Sequence, residues 1–257
     1  MKKLLTTLLA ATLLFTAGCA DTNDTAGTAA TKADKELVAQ LQTELKGIDK
    51  ALLNEDNPDE EALTEQKKEA IRKLGEEYLK NDNRAEYSKT DDMFEDAIYV
   101  YEELNELIDS EEEGKEPVVA PLGSYIRRNI QIVFVIQKDN KKTYELSKRM
   151  YHAENMNAGN QNLYIDSAVN LAKEEFEKGN YEEAINYTKP LISIRYDAKA
   201  LDVYAKSWFE LAQKPLEKKD YQKAYDHLKM ILPLVEDPEF TEKAEALKNE
   251  VKQHIDA

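Results

Sequence analysis

Few side chains in this sequence are of the types that do chemistry, and their spacing keeps them apart. The chain has three histidines, His152, His227 and His254, and one cysteine, Cys19. A transition-metal site needs several such ligands together, and none of the histidines has another His or a Cys at ligand spacing. No metal is therefore expected, and each His is expected as a lone surface residue. Asp91, Asp92, Glu95 and Asp96 form the densest carboxylate group of interest. Paired carboxylates do acid–base work when a pocket holds them. On an amphipathic helix in a strongly acidic region, a solvated face is the expectation instead. Asp82-Asn83 lacks the Gly and the terminal Glu of a calcium loop. With eight glycines in all, there is no phosphate-cradling loop, and no Gly-x-Ser-x-Gly elbow occurs. The expectation is a protein that is not an enzyme and uses no cofactor.

Cys19 stands out by position. Lys2 and Lys3 give a positive start, Leu4 to Phe15 run apolar, and Thr16-Ala17-Gly18 are small. That order makes residues 1–18 a secretory signal peptide. The apolar run is 12 residues long, short of the roughly 20 that a spanning helix needs. As the only cysteine, Cys19 excludes an intramolecular disulfide. Phe15-Thr16-Ala17-Gly18-Cys19 resembles the lipobox of bacterial lipoproteins, with Thr16 where Leu is usual. The resemblance implies a lipid attachment at Cys19, with acyl chains such as palmitate, and a new N-terminus there after cleavage. It places the protein at the cell membrane, lipid-anchored on the extracytoplasmic face. Ala20 follows the cysteine, so the Asp-based inner-membrane retention signal is absent at that place.

The elements beyond Cys19 would stand on that anchor. Residues 19–32 are polar and small with no apolar periodicity, which suits a flexible tether reaching roughly 20 Å. From there the sequence reads as helix almost throughout, rich in Ala, Leu, Glu and Lys. Leu37, Leu41, Leu45, Ile48 and Leu52 form one amphipathic stripe. Asn57-Pro58-Asp59-Glu60 starts a second helix carrying Leu63, Ala70, Ile71, Leu74 and Tyr78. Met93, Phe94, Ala97, Ile98, Tyr101, Leu104 and Ile108 mark a third. Residues 33–112 thus form an acidic helical region. A break with Pro117, Pro121 and Gly123 follows, and residues 124–257 form a second region. The run 130–136, Ile-Gln-Ile-Val-Phe-Val-Ile, has strand-like residues but no partner strand, so it reads as a buried helix.

Charge is divided unevenly. The chain carries a formal −16, or about −18 once Lys2 and Lys3 are removed. Residues 32–116 hold 12 basic and 27 acidic side chains, and residues 117–160 hold 7 and 3. Such acidity argues against nucleic acid as a partner and against docking on anionic lipid heads; it suits a body standing clear of a negative membrane. It also lets the acidic helices lean on the basic segment.

A motif recurs in the second region. Gly179-Asn180-Tyr181-Glu182-Glu183-Ala184 and Lys219-Asp220-Tyr221-Gln222-Lys223-Ala224 lie 40 residues apart. Asp92-Met93-Phe94-Glu95-Asp96-Ala97 has the same form, and Asp139-Asn140 falls in the same series without the aromatic-Ala pair. A polar residue caps the helix, an aromatic packs back, and a small Ala admits a neighbouring helix. Residues 165–191 resemble a tetratricopeptide repeat. Leu171-Ala172 stand at that family's Leu-Gly pair, Gly179-Asn180-Tyr181 at the turn and Ala184 at the close contact, with Trp208, Leu211, Ala212, Tyr221 and Ala224 repeating the pattern. The period here is 40, against about 34 in the family, and Pro190, Pro215 and Pro233 fall at unusual places. The resemblance implies an all-α fold: helical-hairpin repeats, a tetratricopeptide-like solenoid, preceded by the acidic helical region. Asp237-Pro238-Glu239 would start a charged end-capping helix.

The resemblance also implies a protein or peptide partner. The positions matching that family's carboxylate clamp carry Asp166, Asn170, Lys173, Lys206 and Glu210, which do not reproduce it. Fourteen tyrosines suit thin helical repeats with little deep core, which is the leading expectation, or a surface half packed and half used for binding. On the second reading Tyr144, Tyr151, Tyr164, Tyr196 and Tyr204, with Arg127, Arg128, Lys148 and Arg149, are the candidate binding surface. The leading expectation is a membrane-anchored scaffold or adaptor that binds protein or peptide. An envelope-assembly or export-folding factor is the alternative; a small-ligand receptor or a hydrolase ranks below both. Replacing Cys19 with Ala should move the chain from the membrane to the soluble fraction while its helical circular dichroism is unchanged. Retention of Cys19→Ala in washed membranes would contradict the anchor.

Overall fold

The computed structural model describes residues 32–53, 59–82, 89–107, 117–153, 158–194, 197–231 and 235–257. The signal peptide, Cys19, most of the tether, Asn57-Pro58, Ile108, Tyr196 and Pro233 lie outside them. Among the described residues the protein is all-helical. The helices are α1 (Lys35–Leu52), α2 (Glu60–Leu79), α3 (Phe94–Leu107), α4 (Val119–Ile132), α5 (Asn140–Ala153), α6 (Ala158–Glu177), α7 (Tyr181–Ile194), α8 (Ala198–Glu217), α9 (Tyr221–Leu228) and α10 (Pro238–Asp256). A π-helical turn, Val133–Gln137, extends α4. Each helix packs on the next in sequence, and α2 with α4, α3 with α5, and α6 with α8 touch across one helix.

Local chemistry explains most boundaries. Asp34 caps α1, its Oδ1 accepting from the Glu36 and Leu37 amides at 3.0 and 3.2 Å. The buried stripe of α1 is Val38, Leu41, Leu45 and Ile48. Leu37, expected inside, is 37% exposed, because Val38 is in register with Leu41 and Leu45 on the packed face. α2 starts at Glu60, and the Leu63 amide donates to the Asp59 carbonyl at 3.0 Å; the expected cap Asn57 and first-turn Pro58 lie outside the described residues, and Asp59 makes no side-chain cap bond. Asp237 caps α10, with Pro238 in its first turn.

The 130–136 run is helical, as read, but only half of it is inside. Ile130, Ile132 and Val133 are buried, whereas Val135 and Ile136 are each 54% exposed. One face of a helix meets the core, so the six apolar residues of this seven-residue run cannot all do so. The wider π turn ends at Lys138, whose φ of 55° turns the chain into α5.

The core is of two kinds. One continuous apolar cluster runs from Val38 in α1 to Met150 in α5 and includes Ile71, Phe94, Leu104, Leu122, Tyr125 and Ile130. Residue 124, the expected start of the repeat region, lies inside α4, and α4 contributes to this cluster. Gly75 sits where α2 meets Val118, Leu122 and Val100; a Cβ there would come within 2.6 Å of Val118 Cγ1. From α6 onward the core is a series of smaller clusters between neighbours. Ion pairs join the acidic helices to the basic segment, as the charge division suggests: Arg128 with Asp82, Lys142 with Glu95 at 2.5 Å, and Arg149 with Glu102 at 2.6 Å.

The 40-residue spacing is a spacing of geometry as well as of letters. Gly179 has φ 80° and Lys219 has φ 60°. The Asn180 amide donates to the Glu175 carbonyl at 2.9 Å, and the Asp220 amide to the Pro215 carbonyl at 2.9 Å. Both turns are left-handed helix stops followed at once by the cap of the next helix. Four residues after the cap, Ala184 and Ala224 are fully buried; they meet Ala172 and Ala212. The Asp139 cap leads likewise to Thr143, also fully buried, so Thr does there what Ala does later. The turn geometry generates a paired prediction. Gly179→Ala should lose about 1 kcal/mol and Lys219→Gly should gain a similar amount, since only glycine takes positive φ without strain. Urea midpoints moving in the same direction for both would contradict the equivalence of the two turns.

Candidate functional site

The tyrosines that are candidates for a binding surface are mostly packed inside, as the structural reading of them expects. Tyr151, Tyr164 and Tyr204 are buried, and Tyr144 is half-buried. Tyr144 lies 5.4 Å from Tyr164 and 5.2 Å from Tyr187 between ring centroids, and Tyr151 lies 5.6 Å from Tyr164. These rings join α5, α6 and α7 as tilted and edge-on pairs. The nearby cations are engaged within the protein: Arg128 with Asp82, Arg149 with Glu102, and Lys148 over the Tyr144 ring. Arg127 is half-buried, its Nη2 donating to Ser124 Oγ at 3.3 Å. Asp166 and Lys173 are exposed on α6, Asn170 bonds Asn140, Lys206 pairs with Asp202 at 2.7 Å, and Glu210 is half-buried.

The carboxylate group divides. Asp92, Glu95 and Asp96 are exposed, as expected. Asp91, expected on the same solvated face, instead precedes α3 and turns inward. Its Oδ1 accepts from the Tyr125 hydroxyl at 2.7 Å and the Met93 amide at 2.8 Å, and from Asn81 Nδ2 at 3.4 Å. Its own amide donates to Asn129 Oδ1 at 2.8 Å. Asn129 is buried and also donates to the Tyr125 carbonyl at 2.9 Å. Asp91 thus locks the ends of α2, α3 and α4 together. The sequence signal for it was its place just ahead of the helix, where an acid caps the turn.

An open groove remains on the α7–α9 side. It has a volume of about 390 Å³ and is lined by Ile185, Tyr204, Trp208, Leu211, His227 and Met230, with Glu182, Asn186 and Lys189 along its rim. Met230 is 40% exposed. Trp208 and His227 lie 5.4 Å apart between ring centroids, and Trp208 meets Tyr204 edge-on at 6.2 Å. Trp208 Nε1 and His227 Nδ1 are buried and have no hydrogen-bond partner. Buried polar atoms are nearly always paired, so two such atoms at one groove mark it. Pro190 and Pro215 stand inside α7 and α8. Having no N–H, they deprive the carbonyls of Asn186 and Leu211, two residues of this groove, of their usual donors. The groove therefore combines an apolar floor with an indole donor and an imidazole, features a peptide segment complements.

The histidine expectation holds for two of three. His152 is exposed, and His254 is exposed and stacks on Tyr221 at 4.5 Å. His227, expected at the surface, is half-buried in the groove. Trp208 was legible only as a repeat position; its groove role depends on α9 folding back over it. Among the described residues no group of three His, Cys, Asp or Glu side chains is placed to hold a metal ion. No helix among them is long and apolar enough to cross a membrane. Compared with known proteins, the chain matches no family model and no curated sequence.

Titration of the locked groups has a defined sign. Burial raises Tyr125 well above the ordinary tyrosine value of 10.0, and its bond to Asp91 adds to this. Burial also raises Tyr164 and Tyr78. Burial would lower Lys67, but its bonds to Glu103 and Asp49 outweigh that and hold it above 10.5. A tyrosine raised in the fold stabilises fully below its unfolded pKa, and that contribution is lost as pH climbs past it. Lys67 acts in the same sense. The urea midpoint should therefore fall from about pH 9 to about pH 11. Tyr125→Phe should cost about 2 kcal/mol at neutral pH by removing a hydrogen bond to a charged group, and should flatten the alkaline decline. A midpoint independent of alkaline pH would contradict this account.

Proposed function

We propose that the protein is a lipid-anchored scaffold or adaptor that holds a protein or peptide segment in the α7–α9 groove, at the outer face of the cell membrane. The observation that carries the reading is the pairing of unsatisfied Trp208 Nε1 and His227 Nδ1 with an apolar, open groove. The attachment rests on Cys19 and the leader before it. The stacked hairpins, with turns at Gly179 and Lys219 and small contacts at Ala184 and Ala224, support kinship with tetratricopeptide repeats at a 40-residue period. Helical-hairpin stacks of that kind use their faces to hold extended or helical segments. The reading is of a binding protein rather than an enzyme, because the polar groups of the groove are suited to orienting a ligand. They include no nucleophile paired with a base.

The proposal is checked in intact cells with a photo-crosslinking amino acid at Met230, on the groove, and at Leu53, which is 83% exposed at the end of α1. A discrete protein adduct at Met230 and none at Leu53 is the expected pattern. Equal labelling at both positions, or none at Met230, would sink the groove as the binding site.

A further inference from the structure

We propose that the α7–α9 groove reads charge order: it takes an extended segment whose apolar middle covers the floor, with a basic residue at its Glu182 end and an acidic residue at its Lys189 end. This specificity rests on the groove being a peptide site and adds the class of segment that it selects.

The rim charges stand at opposite ends of the floor. Glu182 lies in the first turn of α7, and Lys189 lies seven residues on, just before Pro190. Two helical turns separate them by about 10 Å along the axis. Three residues join α7 to α8 and the two helices pack together, so α8 runs back along α7. Lys189 is therefore on the Tyr204 side of the floor and Glu182 on the Leu211 side. Trp208 stands between these two on α8, with His227 beside it.

Glu182 and Lys189 are both exposed, and neither pairs with another side chain among the described residues. Nearby charges are engaged elsewhere. Glu183 accepts from Asn186 Nδ2 at 3.2 Å, Lys229 pairs with Asp226 at 3.1 Å, and Lys206 pairs with Asp202 at 2.7 Å. Lys223, one turn before His227, is exposed and does not line the groove. A complementary segment therefore finds a carboxylate at one end of the floor and an ammonium at the other. Such an arrangement fixes register and direction more than it adds raw affinity.

The polar groups between the two charges select an extended backbone. Trp208 Nε1 is a donor without a partner, and His227 Nδ1 is likewise unpartnered. The carbonyls of Asn186 and Leu211 lack the amides that residues other than Pro190 and Pro215 would supply. A helical ligand uses its amides and carbonyls on itself. An extended one offers both along its length. At roughly 3.3 Å per residue, an acid and a base three or four residues apart span the rim charges. The residues between them lie over Ile185, Trp208 and Met230.

The test uses short peptides of random sequence selected on the full chain. Groove binders are those that change Trp208 emission and are weakened by Met230→Glu. They should share a basic and an acidic residue at the stated spacing. Exchanging those two residues within a peptide should weaken it about fivefold or more on the parent chain at low salt, since two attractive pairs become repulsive. The preference should shrink in molar salt. The doubly reversed chain, Glu182→Lys with Lys189→Glu, should prefer the exchanged peptide instead. Glu182→Gln and Lys189→Gln should each narrow the parent's preference, which keeps the test decisive if the double reversal misfolds. Parent and reversed chains preferring the same peptide, single variants that leave the preference unchanged, or groove binders without a shared charge order would overturn the specificity while leaving the groove as a peptide site. Absence of any peptide that alters Trp208 emission would remove the peptide site and this specificity with it.

Discussion

Two helices in a thin stack approach closely only where small side chains meet between them, and this constraint recurs through the protein. Ala97, Thr143, Ala184 and Ala224 are each fully buried, four residues after a helix-starting residue whose carbonyl accepts their amide. A larger side chain at any of these places would push the neighbouring helix outward and open the cluster beside it. The turn that precedes each cap fixes where the small residue falls. At Gly179 and Lys219 a left-handed residue stops one helix so that the next cap follows immediately. Packing distance, turn chemistry and the 40-residue spacing are thus aspects of one arrangement.

The two halves answer this constraint differently. From α1 to α5 the helices enclose a continuous core, and Asp91, Asn129 and Tyr125 satisfy one another at the junction of three helix ends. From α6 to α10 each cluster joins near neighbours, so stability there is a sum of local contacts. A stack of that kind leaves grooves between successive hairpins. The α7–α9 groove is one, and its floor of Trp208, Leu211 and Ile185 is continuous with the small cluster beneath it. Binding surface and core are layers of the same helices there.

Much of this was legible in the sequence. The helix start written in cap chemistry at Asp237-Pro238 falls where expected. The Ala184 and Ala224 contacts were readable from spacing. Burial was less legible than helix. Leu37 and Val38 differ by one position on a helix, and which of them turns inward depends on where the neighbour lies. Tyr144, Tyr151 and Tyr164 are surface candidates only on the lesser reading of the tyrosines; the structure packs them between hairpins, as expected of thin helical repeats with little deep core. The groove was not legible, because Ile185 and His227 are 42 residues apart and only the return of α9 beside α8 brings them together. Asp91 read as one carboxylate among four, since its partners Tyr125 and Asn129 belong to a helix more than 25 residues away.

The central claim is that the α7–α9 groove receives a peptide segment. The most direct measurement selects peptides from a random library against the full chain and titrates them while Trp208 fluorescence is recorded. Trp208 is the sole tryptophan and lines the groove, so its emission reports occupancy there. The account predicts saturable changes in Trp208 emission that Met230→Glu weakens about tenfold or more, a loss of about 1.4 kcal/mol. Selected peptides that bind without altering Trp208, or that bind Met230→Glu equally well, would contradict it.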